Sequence, residues 1–170
     1  MRDDADLHYT APLMSPALRA LFQDYAESHQ HPTNRLTHKV AIPLIVFHIV
    51  AMLDWVHLFT VGGVAVTLGM VGVAAAMVWY LRMSVKLALL MAVCFALCFP
   101  LARMTPWPVV VAIAVGGWLV QLAGHAVWEK KSPAFLTNML QALVGPIFFL
   151  ACLTGDWREG QMDVTVGAGR

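Results

Sequence analysis

The sequence predicts an all-α integral membrane protein: a helical bundle of four to five spans preceded by a short amphipathic helix at the membrane surface. Three observations carry that prediction. Of 170 residues, 59% are apolar and only 12% charged, whereas soluble chains carry about 25% charged residues. The charges are also unevenly placed. Between Lys39 and Arg82 the only one is Asp54, and residues 87–102, 104–128 and 132–155 carry none. A spanning helix needs about 20 largely apolar residues, and these gaps provide that length several times over.

Along the chain, residues 1–14 read as a polar tail, 15–155 as one membrane-embedded domain and 156–170 as a second polar tail. Ser15-Pro16 matches an N-cap followed by proline at the first helical position. Leu18, Leu21, Phe22 and Tyr25 then recur at helical spacing, which gives the amphipathic helix lying on the membrane. Pro32 ends it, and Asn34 caps the next helix. The first span covers about 37–56, with Pro43 bending it. The second, 61–81, is rich in Gly, Ala and Val, which permits close helix contact. The third runs about 85–102 to Arg103, and the fourth about 108–128. A fifth apolar segment, 134–153, is interrupted by Gly145-Pro146; it crosses or re-enters.

Charge bias sets an orientation. With the N-terminus inside, Arg19, Arg35, Lys39, Arg82, Lys86, Lys130 and Lys131 all face the cytoplasm, and Arg103 faces out. The stretch "HQHPTNRLTH" and the end of the fourth span then share one side of the bilayer. A bacterial inner membrane is the expected location. The net charge of +1 and the lack of a basic stripe exclude a nucleic-acid partner. Cys94, Cys98 and Cys152 lie in apolar runs, as buried thiols do.

The polar residues in this apolar chain are the candidate chemistry. Gln121, His125 and Glu129 are spaced four apart, on one helical face. Asn34 and His38 are also four apart, with His29 and His31 just upstream. Intramembrane polar groups usually face a bundle interior or a cavity. Imidazole with carboxylate suits non-haem iron, zinc and related metals. Taken singly, each histidine also reads as a headgroup contact, Gln121 as an interhelical hydrogen bond and Glu129 as a solvated helix end. His48, mid-span, reads as bonded to a neighbouring helix, and His57 as lying on the opposite face.

The blocks "YAESHQHPTNRLTHKVAIPL" and "WLVQLAGHAVWEKKSPAFLTNMLQALVGPIFF" resemble the 2-hydroxy fatty acid dioxygenases. The family's first pattern falls on His29, Asn34, His38 and Pro43. Its second falls on Trp118, Gln121, Gly124-His125, Glu129 and Pro133-Ala134. The resemblance implies an Fe(II)-dependent enzyme of fatty acid α-oxidation, embedded among membrane lipid. It would take a 2-hydroxy fatty acid and O2 to a fatty acid one carbon shorter plus carbon dioxide. His29, His38 and His125 carry over as metal-binding, catalytic residues, with Asn34 and Gln121 orienting them. Where some fungal members have a second histidine after the first, this chain has Gln30; Glu129, or else His31, is then the fourth ligand. Arg35 and Lys39 are candidates for the substrate carboxylate. Two other classes stay open: another membrane metalloenzyme of lipid modification, and a non-enzymatic scaffold or lipid-binding protein. The first requires several histidine boxes, and the second that the histidines be dispensable.

Overall fold

The computed structural model describes residues 14–133, 135 and 138–158. The expected tails at 1–14 and 156–170 fall largely outside them, as does Ala134. The described chain is mostly helical: α1 (Pro16–Glu27), α2 (Pro32–Asp54), α3 (Leu68–Met83), α4 (Val85–Met104), α5 (Trp107–Gly124) and α6 (Leu140–Thr154). A π-helical turn, His125–Glu129, continues α5 without a break.

Three helices are both long and apolar enough to cross a bilayer: Pro32–Asp54, Val85–Met104 and Trp107–Glu129. Their outer faces suit lipid. On α4, Leu89, Val93, Leu97 and Leu101 fall four apart and are all exposed, a stripe that water would not tolerate. This is a membrane protein. With 16 and 15 residues, α3 and α6 are shorter than the roughly 20 needed at 1.5 Å per residue.

The chain is not entirely α-helical, which corrects the expected second span of 61–81. Residues His57–Val61 and Val64–Thr67 pair as an antiparallel hairpin, β1–β2. The cause is local. Gly62 and Gly63 both take positive φ, 56° and 80°, as a two-residue hairpin turn requires. The flanking Val and Thr residues favour extended backbone. Thr67 then accepts from the Met70 N–H and starts α3.

Ser15 caps α1 by accepting from the Leu18 N–H at 3.1 Å. The apolar face of α1 packs against α6 instead of being left for lipid. Phe22 meets Phe148 edge-on at 5.1 Å and Trp157 at 5.4 Å. Tyr80 ties α3 to α6 by donating to the Leu143 carbonyl at 3.0 Å. At the other end of α2, Asp54 accepts from Arg103 at 2.8 Å and from Thr67 at 2.7 Å. Within the fifth apolar segment α6 starts at Leu140, where the Asn138 side chain accepts from the Leu140 N–H. By this packing α6 lies against both α1 and α2.

Candidate metal centre

Three buried histidines from three segments converge where α1 gives way to α2 and α5 becomes the π turn. Their ligand nitrogens all lie within 4.8 Å of one another. The ring centroids are 4.7, 4.8 and 4.8 Å apart, and the planes cross at 73°, 73° and 76°. The arrangement is a three-bladed propeller with the ring edges turned inward.

The backbone decides which edge faces in. His29 Nδ1 lies 2.6 Å from the Tyr25 carbonyl, and His38 Nδ1 lies 2.8 Å from the Asn34 carbonyl. A carbonyl only accepts, so each Nδ1 carries the proton and donates. Each Nε2 is thereby left with a lone pair. His29 Nε2 is buried and has no hydrogen-bond partner among the described residues. His38 Nε2 faces His125 Nε2 at 3.0 Å. Two nitrogens 2.1 Å from one cation and at right angles are separated by about 3.0 Å. In the metal-free protein a proton on His125 Nε2 can bridge that pair, but His125 Nδ1 is then a buried acceptor with no partner among the described residues. The donor set therefore fits a cation that accepts nitrogen lone pairs, and three ligands leave coordination positions open.

Electrostatics agree. Burial pushes the His29 imidazole down to about 4, against the hydrogen bond to the Tyr25 carbonyl, which acts the other way. His29 thus stays neutral at physiological pH, the form that binds a metal. Tyr25 stacks on the His29 ring with centroids 4.0 Å apart, and burial pushes its phenol up, so it too is uncharged.

Glu129, expected as a fourth ligand, has another position. It does not join the three-histidine group; its Oε1 accepts from the His31 N–H at 2.9 Å and from Asn34 Nδ2 at 3.1 Å. The carboxylate thereby pins the end of the π turn to the start of α2. The alternative, His31, is engaged as the cap of α2, where its Nδ1 accepts from the Thr33 N–H at 3.2 Å. Asn34 touches most of this assembly. Its amide reaches Glu129, its carbonyl holds His38, and its Oδ1 faces Gly124, where an added Cβ would collide with it and lie 2.9 Å from Thr37 Oγ1. The small residue beside His125 is what admits α2 here.

Two cavities flank the histidines. One, of about 100 Å³, touches His29, His125, Gln121 and Gln141 and is otherwise largely apolar. The other, of about 30 Å³, touches His29, His38, Arg35 and Lys39. Gln121 therefore borders the larger cavity, and Arg35 and Lys39 the smaller. His48 and His57 stay outside the cluster. His48 accepts from Trp118 Nε1 at 3.1 Å, and His57 meets Thr60 at 3.1 Å on the exposed hairpin. Sequence reasoning placed Tyr25 on the apolar face of the first helix and Gln141 in the fifth apolar segment, and assigned neither to the site. The only hint for each was its position: a tyrosine four residues before a histidine, and a glutamine in an apolar run.

Comparison with known proteins points the same way. Residues 16–157 match the family model described as 2-hydroxy-palmitic acid dioxygenase Mpo1-like. The chain is 28% identical over 134 residues to the 2-hydroxy-palmitic acid dioxygenase MPO1 of Saccharomyces cerevisiae, covering 78% of this chain and 76% of the yeast protein. No solved structure matches. The family match spans nearly the whole described bundle and includes all three histidines: the chain belongs to the Mpo1-like family.

Proposed function

We propose that this protein is an iron(II)-dependent dioxygenase of fatty acid α-oxidation. A 2-hydroxy fatty acid and O2 give the fatty acid one carbon shorter, carbon dioxide and water. The single observation that carries this reading is the convergence of three buried imidazoles whose ligand nitrogens lie within 4.8 Å of one another, two of them with Nδ1 committed to a backbone carbonyl. His29, His38 and His125 would hold the metal through these inward nitrogens. Iron(II), when bound, supplies the electron transfer that dioxygen needs and the open positions for substrate.

The protein's own part is positioning. The Tyr25 and Asn34 carbonyls lock two rings in the required tautomer. Glu129 and Asn34 hold the two halves of the site together, as supporting groups around metal ligands do. Lys39 and Arg35 on the rim of the smaller cavity attract the substrate carboxylate. The acyl chain lies along the apolar wall of the larger cavity, beside Ile45, Ile49 and Trp118, where water is excluded. A lipid-derived substrate reaches such a site from the bilayer.

The same reading places residues 15–155 in the membrane as one domain with four to five spans, α3 and α6 counted beside the three long helices, and α1 at the surface. We place the N-terminus and the metal on the cytoplasmic side from the bias of the basic residues, and the membrane as a bacterial inner membrane. The test is oxygen uptake by iron-loaded protein on addition of 2-hydroxypalmitate, with analysis of the product chain. Uptake with a product one carbon shorter is expected. No uptake at full iron loading would overturn the reading.

A further inference from the structure

The larger cavity contains an acceptor that the metal centre does not use. Gln141, in the first turn of α6, is buried, and its Nε2 donates to the Asp24 carboxylate of α1. A carboxylate only accepts, so the amide cannot turn round: the nitrogen end is held at Asp24 and the oxygen end away from it. Gln141 Oε1 is buried and has no hydrogen-bond partner among the described residues. Gln141 lines the cavity that His29, His125 and Gln121 also border, whose remaining wall is largely apolar, with Ile45, Ile49 and Pro146. Gln121 Oε1, bordering the same cavity, is likewise buried without a partner among the described residues. Among those residues no carboxylate fixes its amide as Asp24 fixes that of Gln141. A buried acceptor without a partner costs free energy until a donor reaches it.

We propose that Gln141 Oε1 accepts the C2 hydroxyl hydrogen of the substrate and so makes Gln141 a specificity-determining residue. This rests on the dioxygenase reading. The two competing ligands in a membrane differ by one group. An unsubstituted fatty acid carboxylate has no hydrogen-bond donor and leaves the oxygen unpaired. A 2-hydroxy fatty acid carries one O–H, on the carbon next to the carboxylate. A site built to pair a substrate hydroxyl rejects the analogue lacking it more strongly than an apolar pocket can reject an added group. Asp24 is then a positioning residue, acting through the amide it orients.

Binding by the metal-free full-length protein in nanodiscs removes chelation of the hydroxyl by metal. The Gln141 and Asp24 variants then separate this contact from the imidazole and Gln121 acceptors beside the same cavity. Calorimetric titration of the wild type should give a dissociation constant for 2-hydroxypalmitate about tenfold below that for palmitate, the worth of one hydrogen bond. In Gln141→Met the ratio should fall to about one. Asp24→Asn, at an exposed position that does not endanger folding, frees the amide to turn and should at least halve the ratio. A wild-type ratio near one overturns the proposal. So does a wild-type ratio retained in Gln141→Met or, should that variant not fold, in Asp24→Asn. Oxygen uptake by the iron-loaded wild type separates the two claims. Uptake with unaltered selectivity in the variants removes Gln141 alone, whereas no uptake and no binding of either acid removes both.

Discussion

His38 and His48 lie ten residues apart on α2 and begin alike. Each donates Nδ1 to the carbonyl four residues earlier, at 2.8 Å for Asn34 and 3.0 Å for Leu44. Each therefore turns an Nε2 lone pair toward α5 or its continuation. There they part. His48 Nε2 receives the Trp118 indole N–H at 3.1 Å and is complete. His38 Nε2 meets another imidazole nitrogen at 3.0 Å, with a third, His29 Nε2, close by. A buried histidine paired with a donor is a structural hydrogen bond; buried histidines paired with one another need a proton or a cation. The difference lies in the partner, not in the residue or its helix.

The largest expected effect breaks the first kind of site. His38→Ala or His125→Ala should remove stoichiometric iron and lower oxygen uptake at least a hundredfold, whereas His48→Ala should keep both. Iron analysis of purified protein decides this, and iron lost from His48→Ala would erase the distinction. Next come the groups that hold the rings. Glu129→Ala removes two hydrogen bonds to the start of α2 and should weaken iron binding about 10- to 100-fold. Gly124→Ala drives a methyl into Asn34 Oδ1 and should act in the same direction. Competition with a chelator measures both. Trp118→Phe is the converse change: it leaves His48 without its donor and should cost about 1–3 kcal/mol of stability with iron affinity intact.

The smallest effect is a pH dependence. His29 is held down to about 4 in the fold and returns to its ordinary value of 6.5 on unfolding. Between these values the unfolded chain takes up a proton that the native chain refuses. Stability of the metal-free protein should therefore fall as pH drops from about 6.5 to about 4, and His29 should contribute no slope above that window. Thermal unfolding of wild type and His29→Gln across this range checks the sign.

Apolar runs and charge gaps made the helices and the membrane class legible, since burial in lipid demands uninterrupted apolar length. The polar positions His29, Asn34, His38, Gln121, His125 and Glu129 stood out for the same reason. The hairpin was legible too, in "FTVGGVAVT", but the hydropathy of 61–81 hid it: a two-strand excursion and a helix can be equally apolar. The π turn has no side-chain signature, because one residue of extra register between α5 and Lys130 is a backbone event. Partners were the least readable. Nothing in spacing says that Glu129 accepts from the start of α2, that Trp118 completes His48, or that Asp24 fixes the orientation of the Gln141 amide.

X-ray absorption at the iron edge of the anaerobic, iron(II)-loaded protein is the most direct test of the histidine cluster as a metal centre. Three imidazole nitrogens at about 2.1 Å are predicted, falling to two in any His29→Ala, His38→Ala or His125→Ala protein that retains metal, and unchanged in His48→Ala. A spectrum with no imidazole shell, or one that His38→Ala leaves as it was, would contradict the account.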